Sequence, residues 1–321
     1  MRRNGQRKTA VFTALFLFLA FAMLSFLYYS PKEFTHSFLV NNTNVSSPPA
    51  GEVSISTKIP GFEKPFGESP EEDQRLLEHL QKSVLWPPSK EDYNLLQPNA
   101  AGNSEGGFIT KHVIPKYFPN VTNGVFFEAG ALDGETLSTT LYLERFKNWT
   151  GLISEMNPLG VDRIVQKKRK CWLAPACLSP TNTPSRMVMH SRYDPAHFYT
   201  TWGGTVSEKN KVKRGNPDTK KATELEIHAI VPCYPLTAIL IAANVTSIDF
   251  FSLDLEGLEL KVLKTINWDL INIKVIHMDL LHTDEGEDAV HTFLQSKGYK
   301  HVHGRGEPVL FVQEKFLNSL N

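Results

Sequence analysis

Apolar residues fall into three patterns along the chain. Residues 9–29 run for 21 positions without a charge, residues 76–84 repeat apolar side chains at helical spacing, and from residue 123 short apolar runs alternate with amphipathic ones. The first pattern predicts a membrane span, because 21 helical residues at about 1.5 Å each cover the roughly 30 Å hydrocarbon core. Arg2, Arg3, Arg7 and Lys8 precede it, and Phe26-Leu27-Tyr28-Tyr29 closes it with an aromatic pair suited to the membrane interface. A cleavable signal has a shorter apolar stretch and a small-residue cleavage site, so residues 9–29 predict an uncleaved signal anchor. Positive charge ahead of the span places residues 1–8 in the cytosol and the rest in a lumen or outside, as a single-pass type II membrane protein.

Residues 30–68 hold Pro31, Pro48, Pro49, Pro60 and Pro65 among many Ser and Thr, with no sustained apolar period, and predict a disordered stem. A helical lead-in over 69–104 opens the folded region. There Ser69 caps, Pro70 fits the first helical position and Glu72 completes a capping box. Leu76, Leu77, Leu80 and Val84 then line one face until Trp86-Pro87-Pro88 stops it. Within 105–316 the pattern predicts strands at 125–127, 151–154, 172–174, 248–253 and 273–278, and helices at 138–146, 162–170, 258–264 and 288–297. A pair of strands at 300–302 and 309–313 closes the domain. Strands separated by helices of this length predict an α/β fold, a Rossmann-like parallel sheet with helices on both faces. Residues 205–224 are polar and carry Lys209, Lys211, Lys213, Arg214, Lys220 and Lys221, which predict a solvated loop, with contact to an acidic glycan or lipid headgroup as the other reading.

Composition adds limits. Thirty-four Lys+Arg against 34 Asp+Glu leave no net charge, which speaks against a nucleic-acid partner. Sequons at Asn41, Asn44, Asn120, Asn148 and Asn244 agree with a glycosylated lumenal body. Asn120, Asn148 and Asn244 lie ahead of the first, second and fourth predicted core strands, at the edge opposite the strand C-termini. Cys171, Cys177 and Cys233 permit one disulfide and a leftover thiol, or three buried reduced thiols.

In an open parallel sheet, ligands bind beyond the C-terminal ends of the strands, so the residues just after each strand carry the chemistry. After the first comes Glu128-Ala129-Gly130-Ala131-Leu132-Asp133-Gly134-Glu135, where Gly130 permits a tight turn and Gly134 close contact at the helix entrance. This is not the pyrophosphate-binding G-x-G-x-x-G, and Glu128 repels a pyrophosphate while favouring an amino group or a sulfonium. After the second strand comes Glu155, an acceptor-only carboxylate suited to both hydroxyls of a ribose. Together these residues suit S-adenosylmethionine better than NAD. After the fourth strand Asp254 and Glu256 share a side-chain direction in an extended segment and face the pocket. They serve to orient a substrate hydroxyl, to bind the amino-acid end of a cofactor, or, with Asp279 and His282, to hold a hard cation, although no spacing diagnostic of a metal is present. Glu259 is expected to face solvent on the following helix.

Phe126 to Glu135, Leu141 to Arg145, Trp149 to Pro158 and Asp249 to Gly257 together resemble the FkbM-type methyltransferase domain over roughly residues 105–316. With the anchor, the stem, Ala176 to Ser179 and Val231 to Leu236, the chain is similar to the Star family of arthropod membrane proteins. The resemblance implies a class I S-adenosylmethionine-dependent methyltransferase fold with cofactor-binding residues Glu128, Gly130, Gly134, Glu155, Asp254 and Glu256. It also implies a protein of the endoplasmic reticulum, Golgi and endosomes that assists export of transmembrane growth-factor precursors. Catalytic relatives are O-methyltransferases, for which Asp254 is the expected base. The Star-like segments hold both Cys177 and Cys233, which favours that disulfide, with Cys171 opening a strand that ends at Cys177. The chain departs from the family's usual Asp, Asn and Glu at Glu128, Thr139 and Asp279.

Overall fold

Two pairs of phenylalanines set the centre of the molecule. Phe126 and Phe127 on one strand, and Phe250 and Phe251 on its neighbour, project alternately to opposite sides, and all four are fully buried. A strand with apolar side chains on both faces needs cover on both, as in a parallel sheet between two helical layers. Phe127 meets Phe251 edge-on at 5.5 Å on one face.

A computed structural model of the chain describes residues 59–67, 70–97, 104–193, 205–207 and 225–320. The predicted anchor at 9–29, the sequons Asn41 and Asn44, the cap Ser69 and the basic residues 209–221 lie outside the described residues. Among the described residues no helix is long and apolar enough to cross a membrane.

The central sheet contains β1 (Val125–Ala129), β2 (Thr150–Ser154), β3 (Trp172–Ala174), β8 (Ser247–Leu253), β9 (Asn272–Met278), β10 (Tyr299–His303) and β11 (Val309–Gln313), in the order β10-β11-β9-β8-β1-β2-β3. The first five are parallel, and β11 pairs antiparallel with both β9 and β10. From β1 the chain steps outward through β2 to β3, and from β8 it steps the other way to β9. Strand order therefore reverses between β1 and β8, and a crevice opens there.

One face is covered by α1 (Pro70–His79, prolonged by a π turn, Leu80–Val84), α6 (Leu236–Ala242), α7 (Glu259–Thr265) and α8 (Glu287–Ser296). The other is covered by α2 (Ser104–Phe108), which continues through a π turn into α3 (Ile114–Tyr117), and by α4 (Leu141–Lys147) and α5 (Pro158–Lys167). A short α9 (Glu314–Asn318) ends the chain.

Five expectations change. The stem is not free throughout: Ile59 is buried, Phe62 and Phe66 pack against the core, and the Phe66 amide donates to the Asn182 carbonyl at 2.6 Å. The first helix stops at Val84, as the Trp86-Pro87-Pro88 stop leads one to expect, but the lead-in does not resume as helix over 85–97: the chain runs extended and Trp86 exchanges backbone bonds with Leu173. The helix expected over 162–170 spans Pro158–Lys167 instead, because the Asn157 side chain accepts the Leu159 amide and Pro158 fits the first turn. The helix expected from 138 begins at Leu141, since residues 138–140 bond to Glu128.

The fifth difference is a second sheet, ordered β4-β7-β5-β6, built from β4 (Cys177–Leu178), β5 (Ser185–Tyr193), β6 (Thr205–Ser207) and β7 (Leu225–Tyr234). Cys171 thus precedes β3 of the main sheet, while Cys177 opens β4 of the other. Cys177 is bonded to Cys233 on neighbouring β7, and Cys171 is a buried free thiol.

Candidate functional site

The crevice between β1 and β8 is an open cleft, with about 950 Å³ of space up to and including its solvent-filled mouth. Its floor and walls come from the C-terminal ends of β1, β2 and β8 and from the passage out of β3 into β4. Glu128, Gly130, Glu155, Asp254 and Glu256 all line it; Gly134 does not.

Glu155 is fixed by the backbone. Its two carboxylate oxygens accept the Leu132 amide at 2.8 Å and the Asn157 amide at 2.7 Å. Burial pushes its pKa up to about 7, against the opposing pull of the Asn157, Leu132 and Met156 amides. The group sits at the end of β2 with its orientation decided before any ligand arrives.

The two glycines act differently from each other. Gly130 has φ +82°, and a side chain there would overlap the Asp254 carbonyl oxygen, so this glycine brings the ends of β1 and β8 together. Gly134, at φ +74°, lies against Ile164 of α5 and serves packing behind the cleft.

Glu128 is not available as a bare anion for a cationic ligand. One oxygen accepts the Thr139 amide at 2.8 Å and its hydroxyl at 3.2 Å; the other accepts the hydroxyls of Ser138 at 2.9 Å and Thr140 at 2.7 Å. Four donors fill the lone-pair positions of a carboxylate. Glu128 and Thr139 are therefore hydrogen-bonded partners of each other.

Behind this turn lies a buried network that the sequence reading missed. Arg169 donates to Glu144 at 3.0 Å, to the Gly134 carbonyl at 2.5 Å, and to the hydroxyls of Ser138 and Thr140 at 3.2 Å each. Tyr93 donates to Glu144 at 2.9 Å, and Lys167 pairs with Glu135 at 2.6 Å. Burial would raise the carboxyl of Glu144, yet Arg169 and the Lys170 amide hold it below the ordinary value. Glu135 is also held low against burial, by Lys167 and the amides of Leu96 and Gln97. The sequence-level signals were Glu135 and Glu144, each within a motif that carries the family resemblance.

On the β8 side, Asp254 and Glu256 are half-buried on the rim. Glu256 has its pKa raised, first by burial and then by Asp279, Glu259 and Glu307, with His282 at 3.7 Å opposing. The expectation for Glu259 is overturned. It is buried, and one oxygen accepts the amides of Leu255 at 2.9 Å and Gly257 at 3.2 Å while the other accepts the Thr283 hydroxyl at 3.0 Å. It fastens the turn that carries Asp254 and Glu256. Asp279 accepts the Leu281 amide, and among the described residues no three His, Cys, Asp or Glu are gathered to hold a metal.

Asn120, Asn148 and Asn244 are exposed and directly precede β1, β2 and β8, at the edge away from the cleft. Asn148 and Asn244 have φ of +55° and +58°, a left-handed conformation that Asn tolerates well.

No curated protein matches the sequence. One solved structure, described as a fibrillarin/Nop5p complex, aligns with 60% of this chain and 71% of its own at 10% identity and a TM-score of 0.31, too weak a likeness to add to the topology above. Residues 128–301, which contain the cleft from Glu128 to Glu256, match the methyltransferase FkbM domain. With that match spanning more than half its length, the chain belongs to the FkbM methyltransferase domain family.

Proposed function

We propose that the cleft binds S-adenosylmethionine and that the domain is an O-methyltransferase for a glycan or small hydroxylated acceptor in the secretory lumen. The observation that carries this reading is Glu155, a carboxylate aligned by backbone amides at the end of β2, beside the switch point, with acceptor capacity left for ribose hydroxyls. The donor set fits the group: Gly130 keeps the floor clear, and Met156, Cys177 and Leu178 give an apolar wall for a base. When bound, S-adenosylmethionine supplies a methyl group carried on a sulfonium. Asp254, on the opposite lip, takes the proton from the acceptor hydroxyl, and Glu256 beside it orients that hydroxyl. Calorimetric titration of S-adenosylmethionine into the full chain tests the reading, with Glu155→Ala as control. Binding lost in the control supports it; a folded wild-type protein that binds nothing refutes it.

A second reading is favoured by the uncharged run at 9–29 and by three exposed sequons on the edge away from the cleft. In it the chain is a Star-like type II protein of the endoplasmic reticulum, Golgi and endosomes that assists export of membrane-bound growth-factor precursors. Normal export of such precursors in cells lacking the chain would refute it. The two readings are compatible, since the three sequons lie on the edge away from the cleft and glycans there leave it open.

A further inference from the structure

A row of polar side chains crosses the sheet beneath the cleft. Glu128 on β1 is in register with Ser252 on β8, and Ser252 with His277 on β9. All three are buried, and Glu128 and Ser252 also line the cleft. Ser252 Oγ lies 3.2 Å from His277 Nδ1, the single hydrogen bond Ser252 makes through its side chain among the described residues. His277 Nε2 is buried without a hydrogen-bond partner among the described residues, with the rings of Phe250 and Phe108 at 6.1 and 6.2 Å from the imidazole.

That arrangement decides where the protons sit. Burial holds the pKa of His277 down to about 4, so the ring is neutral and carries one hydrogen. On Nε2 that hydrogen would be a buried donor without an acceptor, the rarer and costlier kind of unpaired group. On Nδ1 it is donated to Ser252 Oγ. The hydroxyl then accepts from the ring, which leaves its own hydrogen to be donated elsewhere than to His277, on a residue that lines the cleft.

The order of the strands says what meets it. With the ribose at Glu155 on β2, β8 lies two strand spacings away, roughly 10 Å across the turn at Gly130. The nucleoside wall is on the β3 side, so the other end of the cofactor extends toward β8. There the cleft offers Asp254 and Glu256, which accept hydrogen bonds and repel an anion. The Thr139 hydroxyl, a nearby donor, is already held by Glu128.

We infer that Ser252, set by His277, is a specificity-determining hydroxyl donor that binds the carboxylate at the amino-acid end of S-adenosylmethionine. This rests on the methyltransferase reading of the cleft. The test has two arms on the full chain in detergent. In protein carrying ¹⁵N-histidine, the resonances lost in His277→Phe identify His277, and they should show hydrogen on Nδ1; hydrogen on Nε2 overturns the inference. In binding titrations, Ser252→Ala should weaken S-adenosylhomocysteine about tenfold, as expected for a lost hydrogen bond to a charged group. It should leave 5′-methylthioadenosine, which keeps the nucleoside and lacks the amino-acid end, unchanged. Equal losses for both ligands, or none for either, overturn the inference. A wild-type protein that binds neither ligand refutes the methyltransferase reading itself, and the assignment of Ser252 falls with it.

Discussion

Carboxylates behind the β1 turn are buried, those on the cleft range from buried Glu155 to half-buried Glu256, and their chemistry diverges. Glu144 and Glu135 face Arg169 and Lys167 at 3.0 and 2.6 Å, and their pKa values are held down. Glu155 borders the cleft with no ion pair among the described residues and Glu256 with only His282 at 3.7 Å, and burial pushes both pKa values up. Where a cation of the chain itself neutralises the acid, the pair fixes the loop. At Glu155, where it does not, the acid is aligned by amides and keeps capacity for a ligand.

The sharpest way to break this contrast is to remove a cation from behind the turn. Arg169→Met leaves Glu144 buried and uncompensated, and unfolding in urea should show a loss of about 3–5 kcal/mol. A loss below 1 kcal/mol would mean that the hydroxyls and amides around Glu144 suffice and that the ion pair is incidental.

Next in size is the pH response of the cleft side. The pKa of Glu155 is raised from its ordinary 4.5 to about 7, so the folded state holds this proton more tightly than the unfolded one. Its contribution to stability is fully present below about pH 4.5 and is lost as pH rises to about 7, a change on the order of 3 kcal/mol. Glu144 and Glu135 act in the opposite sense, with stability present above the ordinary carboxylate range and lost as pH falls below it. Glu155→Gln should therefore flatten the decline between about pH 4.5 and 7 and leave the acid limb intact. A profile unchanged by the substitution would show that the carboxyl ionises normally and that the contrast fails at its central residue.

A smaller effect separates the two lips of the cleft. Glu259→Gln replaces one acceptor oxygen with an amide donor, against the amides of Leu255 and Gly257 or the hydroxyl of Thr283. A loss of about 1–3 kcal/mol is expected, with weaker binding at the β8 lip. Hydrogen exchange should quicken over residues 254–257 and stay unchanged over 130–140. Quickening in both segments would mean that the lips are one cooperative unit.

The sequence carried the fold where both sheet faces are apolar. Phe126-Phe127 and Phe250-Phe251 read as strands because nothing polar interrupts them, and each lies in the sheet. It failed where one side chain reorganises a segment at a distance. Residues 138–140 read as helix until Glu128, ten to twelve positions earlier, takes their donors. Glu259 read as a surface residue because its partners Leu255, Gly257 and Thr283 are turn positions with no period of their own. The second sheet was passed over because β5 and β7 mix Met187, Met189 and Val231 with Arg186, His190 and His228, a pattern whose burial depends on the partner strand. At the cleft, Glu155 and Gly130 were legible from spacing after a strand, whereas the pairing of Ser252 with His277 needs the register of β8 with β9.

The edge away from the cleft should respond least. Thr122→Ala, Thr150→Ala and Thr246→Ala each destroy one sequon at an exposed position, and they leave Asn148 and Asn244 to hold their left-handed turns. If the domain is lumenal, each should remove one glycan step in mass from protein made in secretory cells. Stability should move by no more than about 0.5 kcal/mol, as for surface positions outside special contacts. Affinity for S-adenosylmethionine should not move, because β1, β2 and β8 run their length between these sites and the cleft. A glycan-deficient variant with altered affinity would show that the two ends of the sheet are coupled, and the cleft could then no longer be treated as independent of the sequon-bearing edge.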